Sequence, residues 1–384
     1  MTNVEQQRAK EIVVGCQLAI SGAAPPAVRA FVMLAMVMLA ILLDRPAITM
    51  RSLALAAAIL LLMRPESIFE PGFQMSFAAV AALVAVAEWE TARERLQPRG
   101  MVYRYVHGII LTSLVGSLAT MPFALFHFDR ATHYAVLGNL IAMPVMGFWV
   151  MPAAALSVML MPFGAEGPAL AMLGEGIAVM TAMGRWVSNL PGAVSLAPAM
   201  PLSALVLISL GGLWALLWQK RWRWWGLVPL LIGCIWAYAA LRPDMLVAPD
   251  AQTVAIRSRD GLLHFVKKPK DRFIARDWLR RDGDGRDIAD AVGDPSIKCD
   301  GVGCVMKGRI AVAVSQKPEA LMEDCAMAKV VVSAAAALAC KGPMVVIDRE
   351  AAAKGQGWRV DLSPRPYAQS VRAQRGARPW VAGR

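Results

Sequence analysis

The chain has 384 residues, of which 57% are hydrophobic, with a formal net charge of +12 and a mean hydropathy of +0.48. Such a composition excludes an ordinary soluble globule of this length and places most of the chain in a bilayer. The stretch up to about Leu241 is mostly apolar and residues 243–384 are mixed and basic, which predicts a polytopic α-helical membrane bundle followed by a small α/β or α+β soluble domain.

Residues 1–26 form a mixed opening segment with no charged start, short apolar core and small-residue cleavage site, so no cleavable signal is expected. A bilayer core about 30 Å thick asks for about 20 apolar residues in helix. Within the predicted transmembrane domain, 27–241, apolar segments fall at roughly 28–43, 50–63, 73–88, 106–127, 134–160, 168–190, 202–218 and 225–241. The second is short enough to be interfacial. Pro144 and Pro152 break the fifth, because proline removes a backbone donor and kinks a helix. Trp214, Trp218, Trp222, Trp224, Trp225 and Trp236 gather near segment ends, as in the aromatic belt of a membrane interface.

If all these segments span, their connections alternate between two sides. Arg45, Arg51, Arg93 to Arg104 and Lys220 to Arg223 fall on one side, and only Arg8, Lys10, Arg64 and Arg130 on the other. The positive-inside rule makes the first side cytoplasmic. The soluble domain then lies outside, in the periplasm of a bacterial cell whose inner membrane holds the helices.

That domain, 242–362, opens with alternating runs at 253–258 and 262–266 around Asp260-Gly261, a hairpin signal. Residues 273–281 read as an amphipathic helix, and 309–314, 329–332 and 344–348 as buried strands. Residues 363–384, with Pro364, Pro366 and repeated arginines, read as an extended Arg-rich tail. Cys299, Cys304, Cys325 and Cys340 form an even set suited to two disulfides in an oxidising compartment, with three pairings open. A four-thiolate zinc site is the rival reading, but these spacings lack the tight pairs of a zinc ribbon.

Catalytic signals are sparse. The four histidines, His107, His127, His133 and His264, assemble no His-x-His-x-Asp-His metal set; the nearest approach is His127, Asp129 and His133, which read more simply as polar residues at a membrane interface. Neither a phosphate-cradling Gly-x-x-x-x-Gly-Lys run nor a Gly-x-Ser-x-Gly elbow occurs. No enzyme, cofactor or metal is therefore expected. Polar residues inside apolar segments are costly in lipid and tend to face neighbours or water. Arg29, Gln74, Ser76, Asn139 and Glu175 are the candidates for lining a pore or packing helices, with Arg185 as a further intramembrane charge. For the arginines the plainer reading is snorkelling to an interface, and for Gln74 and Asn139 bonding to a neighbouring helix. Glu175 sits between Gly174 and Gly176 well inside its segment.

Four blocks then carry a resemblance. Ser21-Gly22-x-x-Pro25-Pro26-Ala27-Val28-Arg29-Ala30-Phe31, Pro71-Gly72-Phe73-Gln74-Met75-Ser76-Phe77, Gly138-Asn139-Leu140-Ile141-Ala142-Met143-Pro144 and Leu190-Pro191-Gly192 resemble, in order, the competence domain of ComEC-type DNA uptake proteins. Cys299-Asp300 with Cys304, Asp324-Cys325, Val346 to Arg349 and Arg378-Pro379-Trp380 are similar to the outer domain of proteobacterial members. The resemblance implies an inner-membrane channel passing single-stranded DNA during natural transformation. Its implied partners are membrane lipid, a DNA receptor of the helix-hairpin-helix type, a cytoplasmic helicase-like ATPase and, as an open possibility, further copies of the chain. It also implies a form shortened at its front, without an outer oligonucleotide-binding-like domain. The soluble domain would stand as a metal-less remnant of a metallo-β-lactamase-like domain. The competing expectation is a membrane scaffold or truncated, non-transporting remnant of such a channel.

Overall fold

The computed structural model describes residues 24–376 and Gly22, apart from positions 45, 47–48, 95–99, 219, 309 and 338–339. Most of the 1–26 segment, and Arg378 to Trp380, thus lie outside the described residues. The chain divides into two compact units, a helical one formed by residues up to Ser195 with Met200–Ala239, and a second formed by Leu196–Ala199 with residues from Ala240 onward.

The helical unit runs α1 (Pro25–Leu42), α2 (Met50–Met63), α3 (Pro71–Glu94), α4 (Met101–Phe128), α5 (Ala135–Val145), α6 (Met151–Leu160), α7 (Gly167–Ser188), α8 (Leu202–Leu217) and α9 (Leu227–Tyr238). Each apolar segment of the sequence contributes helix. Among the described residues, however, five stretches are long and apolar enough to cross a membrane: Pro25–Leu42, Pro71–Trp89, Val102–Phe128, Ala135–Phe163 and Gly167–Ser188. α2, α8 and α9 are shorter; at about 1.5 Å per residue, α9 reaches only about 18 Å. The long fifth segment stays continuous by widening into a π-helical turn over Met146–Val150, directly after Pro144. Such a turn absorbs the ladder bond that proline cannot make.

Close backbone approach packs α8 against α9. A Cβ on Gly211 would lie 2.6 Å from the Gly226 carbonyl oxygen, and one on Gly233 would lie 2.7 Å from the Ile208 side chain. Only glycine allows that contact, and small residues at helix crossings are how helices associate in lipid.

The second unit is rich in sheet. One sheet has the order β8 (Val345–Ile347), β7 (Val330–Ser333), β6 (Ala311–Ser315), β5 (Gly303–Lys307), β4 (Ile297–Cys299). Its first three strands are parallel and the rest antiparallel. The other sheet is antiparallel, with the order β10 (Tyr367–Ser370), β9 (Trp358–Asp361), β1 (Met245–Val247), β2 (Val254–Arg257), β3 (Leu263–Phe265).

Strand alternation sorts side chains to two faces. Val254 and Ile256 join Val312, Val314, Val330 and Val332 in one core between the sheets. Between them in sequence, Ala255 turns outward to Leu263, Phe265 and the Ala275 and Leu279 face of α10 (Arg272–Arg281). On the far sheet, Ala313 and Val331 turn outward to Cys325 and Ala328 at α11 (Leu321–Met327). The layers are helix, sheet, sheet, helix.

Two features differ from the sequence expectation. Residues 363–376 are no extended tail, since β10 pairs with β9 and α13 (Val371–Arg375) follows. Strands β1, β4, β5 and β9 were also invisible to periodicity, being defined by the strands they pair with.

Candidate functional site

Two of the intramembrane polar candidates, Arg29 and Gln74, meet further polar residues at one end of the first four helices. Arg29 lies near the start of α1, Arg64 caps the end of α2, Glu70 and Gln74 flank the start of α3, and His127 is in the last turn of α4. Short connections return alternate helix ends to the same level, so these positions meet.

Glu70 is the hub. Its carboxylate lies 3.9 Å from Arg29 Nη1 and 3.7 Å from Arg64 Nη2. Arg64 also binds Glu66 at 3.1 Å. Glu66, in the short 3-10 helix Pro65–Phe69 that joins α2 to α3, has its carboxyl held below the ordinary range by its own backbone N–H and then by Arg64. Arg29, Arg64 and Glu70 line a cavity of about 30 Å³ together with Pro25 and Phe73 among others, and Glu66 pairs with Arg64 outside it. Arg29 is largely buried, and its Nε finds no hydrogen-bond partner among the described residues. An unmet buried donor is costly and marks a place for an acceptor.

Gly72 explains part of the Pro71-Gly72-Phe73 block: a Cβ there would lie 2.7 Å from Arg29 Nη2, so the bare backbone lets the guanidinium rest on the start of α3. One residue on, Phe73 enters a core with Val32, Ala56 and Leu60 and packs at a tilt against Phe77, ring centroids 4.4 Å apart.

Gln74 spans two elements. Its amide nitrogen donates to the Ile68 carbonyl at 2.8 Å, and its amide oxygen lies 2.8 Å from His127 Nε2. An amide oxygen only accepts, so His127 donates through Nε2. The bond ties the start of α3 to the end of α4.

The remaining candidates fall elsewhere. Ser76 is half-buried on α3. Asn139, on α5, lines a cavity of about 360 Å³ with Tyr134, Gly138, Met180 and Gly184. Glu175 is exposed on α7, while its neighbour Gly176 abuts Trp149 and Val150. His127 and His133 hold separate partners, the latter bonding Ser195 at 2.8 Å, so the loop histidines do not converge. In the sheet unit Cys299 is bonded to Cys304 and Cys325 to Cys340. Sequence reasoning passed over Arg64 and His127 as partners of this cluster. Glu70, directly before the Pro71 to Phe77 block, was the available signal.

The Pro71 to Phe77 block, its arginine partner and the Asn139 stretch together define a competence-type membrane domain. The family model described as Competence protein matches residues 12–222, more than half of the chain, and the chain belongs to that family. Membership bears out the ComEC-type resemblance. ComE operon protein 3 of Bacillus subtilis (strain 168) is 26% identical over 148 residues, which is 38% of this chain and 18% of that relative's length. The chain thus matches well under two thirds of that protein. No solved structure matches.

Proposed function

We propose that this protein is a component of a channel that carries single-stranded DNA across the bacterial inner membrane in natural transformation. The observation that carries the reading is the Arg29, Arg64, Glu70 cluster, with Arg29 Nε buried and unpaired among the described residues, Arg29 belonging to the first of the family's sequence blocks and Glu70 directly preceding the second. A phosphate backbone approaching this end would supply the acceptor that Arg29 lacks and compete with Glu70 for its guanidinium.

The charge distribution of the loops, counted with every apolar segment spanning, supports a cytoplasmic side opposite that cluster, and in this reading the cluster stands at the outer mouth and the sheet unit in the periplasm. The basic surplus of the sheet unit then suits a vestibule for DNA. Its helix, sheet, sheet, helix layering fits a metallo-β-lactamase-like ancestry, in a domain we assign no nuclease activity. Energy would come from a cytoplasmic helicase-like ATPase, and DNA from an outer receptor of the helix-hairpin-helix type.

Glu175 favours an assembly of several copies. A carboxylate at the centre of a lipid-facing helix costs about 2.5–3.5 kcal/mol, and a second copy or a water-filled lumen would relieve that cost. Asn139 and Ser76 would line or brace the same passage.

The test is complementation of a transformation-defective strain by this 384-residue chain, beside Arg29→Gln, Glu70→Gln and Glu175→Leu variants at equal membrane levels. Restored uptake by the parent and its loss in Arg29→Gln is the expected result. Failure of the parent to restore uptake favours a scaffold that transports nothing, and full uptake by all three variants removes the assigned roles.

A further inference from the structure

The sheet unit brings together three groups that the DNA-uptake reading does not use. Asp260 sits in the turn between β2 and β3, His264 in the middle of β3, and Asp294 in the loop that follows Ile288–Ala291. One ligand atom from each lies within 4.8 Å of the others. His264 Nε2 is 2.8 Å from Asp260 Oδ2 and 3.9 Å from Asp294 Oδ2.

Each member is oriented by a second bond. Asp260 Oδ1 accepts from the Leu262 N–H at 2.8 Å, which turns Oδ2 toward the imidazole. Asp294 Oδ1 accepts from the Ser296 N–H at 2.7 Å and from the Ser296 hydroxyl, and Ser258 also donates to this carboxylate. His264 Nδ1 lies 2.9 Å from the Gly293 carbonyl oxygen. A carbonyl oxygen cannot donate, so Nδ1 carries a proton, and in the neutral ring Nε2 presents its lone pair to the two carboxylates. Three acceptors facing one point repel each other unless a cation sits between them. A backbone carbonyl on the far ring nitrogen is also the usual support of a metal-bound histidine.

Scaffold and charge agree. The Phe265 carbonyl accepts from the Gly293 N–H at 2.9 Å, which pins the Asp294 loop to β3. Gly261 and Gly293 both have φ near +81°, a conformation that glycine adopts freely and that lets the two turns fold toward His264. Among the described residues, no Lys or Arg pairs with Asp260 or Asp294. Nearby Asp284 is already matched by Arg286 at 2.7 Å.

We propose that Asp260, His264 and Asp294 bind one divalent transition-metal ion, which clips the β2–β3 hairpin to the 293–296 loop. One imidazole nitrogen and two carboxylate oxygens suit zinc or manganese, and three protein ligands leave room for water in the remaining positions. For tetrahedral zinc, ligand atoms stand about 3.3 Å apart. The 2.8 Å pair therefore opens slightly and the 3.9 Å pair closes by a similar amount.

The test uses the full chain, without a polyhistidine tag, purified in detergent, stripped with chelator and kept non-reducing so that the disulfides stay closed. Titration with Zn²⁺ alone is expected to show one equivalent bound and to raise the unfolding midpoint of the sheet unit by about 4 °C or more. His264→Gln and Asp294→Asn are expected to weaken binding by at least about 100-fold. X-ray absorption of the zinc-loaded wild type is expected to show a single imidazole in an oxygen and nitrogen shell. That readout needs no variant to fold. The proposal is overturned if neither Zn²⁺ nor Mn²⁺ binds, which would mean that Nε2 holds a proton in an Asp-His-Asp ion pair. Sulfur or several imidazoles in the shell, or unchanged affinity in a folded His264→Gln, would overturn it equally.

Discussion

In the sheet unit the largest fully buried side chains are Phe265, Met245, Ile256 and Leu263, whereas the helical unit turns Leu62, Phe148, Met159 and Ile235 outward and closes its tightest contacts on Gly211, Gly226 and Gly233. The contrast follows from the solvent. Water drives large apolar groups together, so two sheets shut their valines and isoleucines into one core. Lipid tails are as apolar as leucine and offer no such drive, so the helices gain from close packing and from polar contacts such as Gln74 with His127. Residue size and polarity consequently trade places between the two halves of one chain.

Substitutions that reverse these habits should separate the units, and the largest effect belongs to the aqueous core. Phe265 is fully buried, and its ring stacks on Trp278 with centroids 6.3 Å apart. Phe265→Ala should cost the sheet unit about 3–5 kcal/mol. Hydrogen exchange on the full chain should show faster exchange in β2, β3 and α10 with α1 to α4 unchanged. Next come the disulfides. Cys325 and Cys340 are separated by 15 residues and Cys299 and Cys304 by 5. Loop-closure entropy gives about 3 kcal/mol for the longer and about 2 kcal/mol for the shorter. Paired Cys→Ser variants, unfolded under non-reducing conditions, should fall in that order, and added reductant should leave the helical unit untouched.

What the sequence revealed depended on whether a signal was local. The β2–β3 hairpin was legible because Val254, Ala255 and Ile256 alternate faces and Asp260-Gly261 marks the turn. The 273–281 helix was legible from its apolar stripe, with Asp271 accepting from the Phe273 and Ile274 N–H groups at its start. Strand β9 was not, because Trp358 to Asp361 becomes a strand by pairing with β1, far earlier in the chain, and with β10. The same limit governs the sites. Arg29, Gln74, Asn139 and Glu175 stand out as polar residues in apolar surroundings. Which of them meet is tertiary information: Arg29 reaches Glu70, Gln74 reaches His127, and Asn139 and Glu175 go elsewhere. Asp260 and His264 share a hairpin, but nothing local announces Asp294 beside them.

In the helical unit the sharper probe is added bulk. Gly211→Ala places a methyl against the Gly226 carbonyl, and overpacking of this kind costs about 1–3 kcal/mol. Gly212→Ala meets nothing within 4 Å and should be neutral or slightly stabilising through helix propensity. The pair is read by the fraction of chain that stays folded in detergent on heating. Equal effects at the two glycines would mean that backbone contact does not hold α8 to α9. A smaller loss is expected in the sheet unit at Asp348, whose side chain accepts from the Ala351 N–H at 2.8 Å and caps α12 (Arg349–Gly355). Asp348→Ala should cost about 1 kcal/mol in the same assay.

The smallest effect is a dependence on acid that belongs to the sheet unit. Burial raises the Asp284 carboxyl, but the Arg286 guanidinium and N–H lower it by more, so its folded pKa lies below the unfolded value. Asp300 is lowered by the Val302 and Gly303 N–H groups in the turn between Cys299 and Cys304. A depressed carboxyl contributes stability that is complete above its unfolded pKa, near about 4, and is lost as pH falls through the folded value. The sheet unit should therefore weaken as pH drops below about 4, at constant salt. Asp284→Asn and Asp300→Asn should each flatten that acid limb while lowering stability at neutral pH, where the charge has its partners. Measured by hydrogen exchange, the helical unit should show no matching change in either variant. If the acid limb were unchanged in both, the buried Arg286 contact and the turn at Asp300 would hold those residues by shape, with their charge carrying no stability.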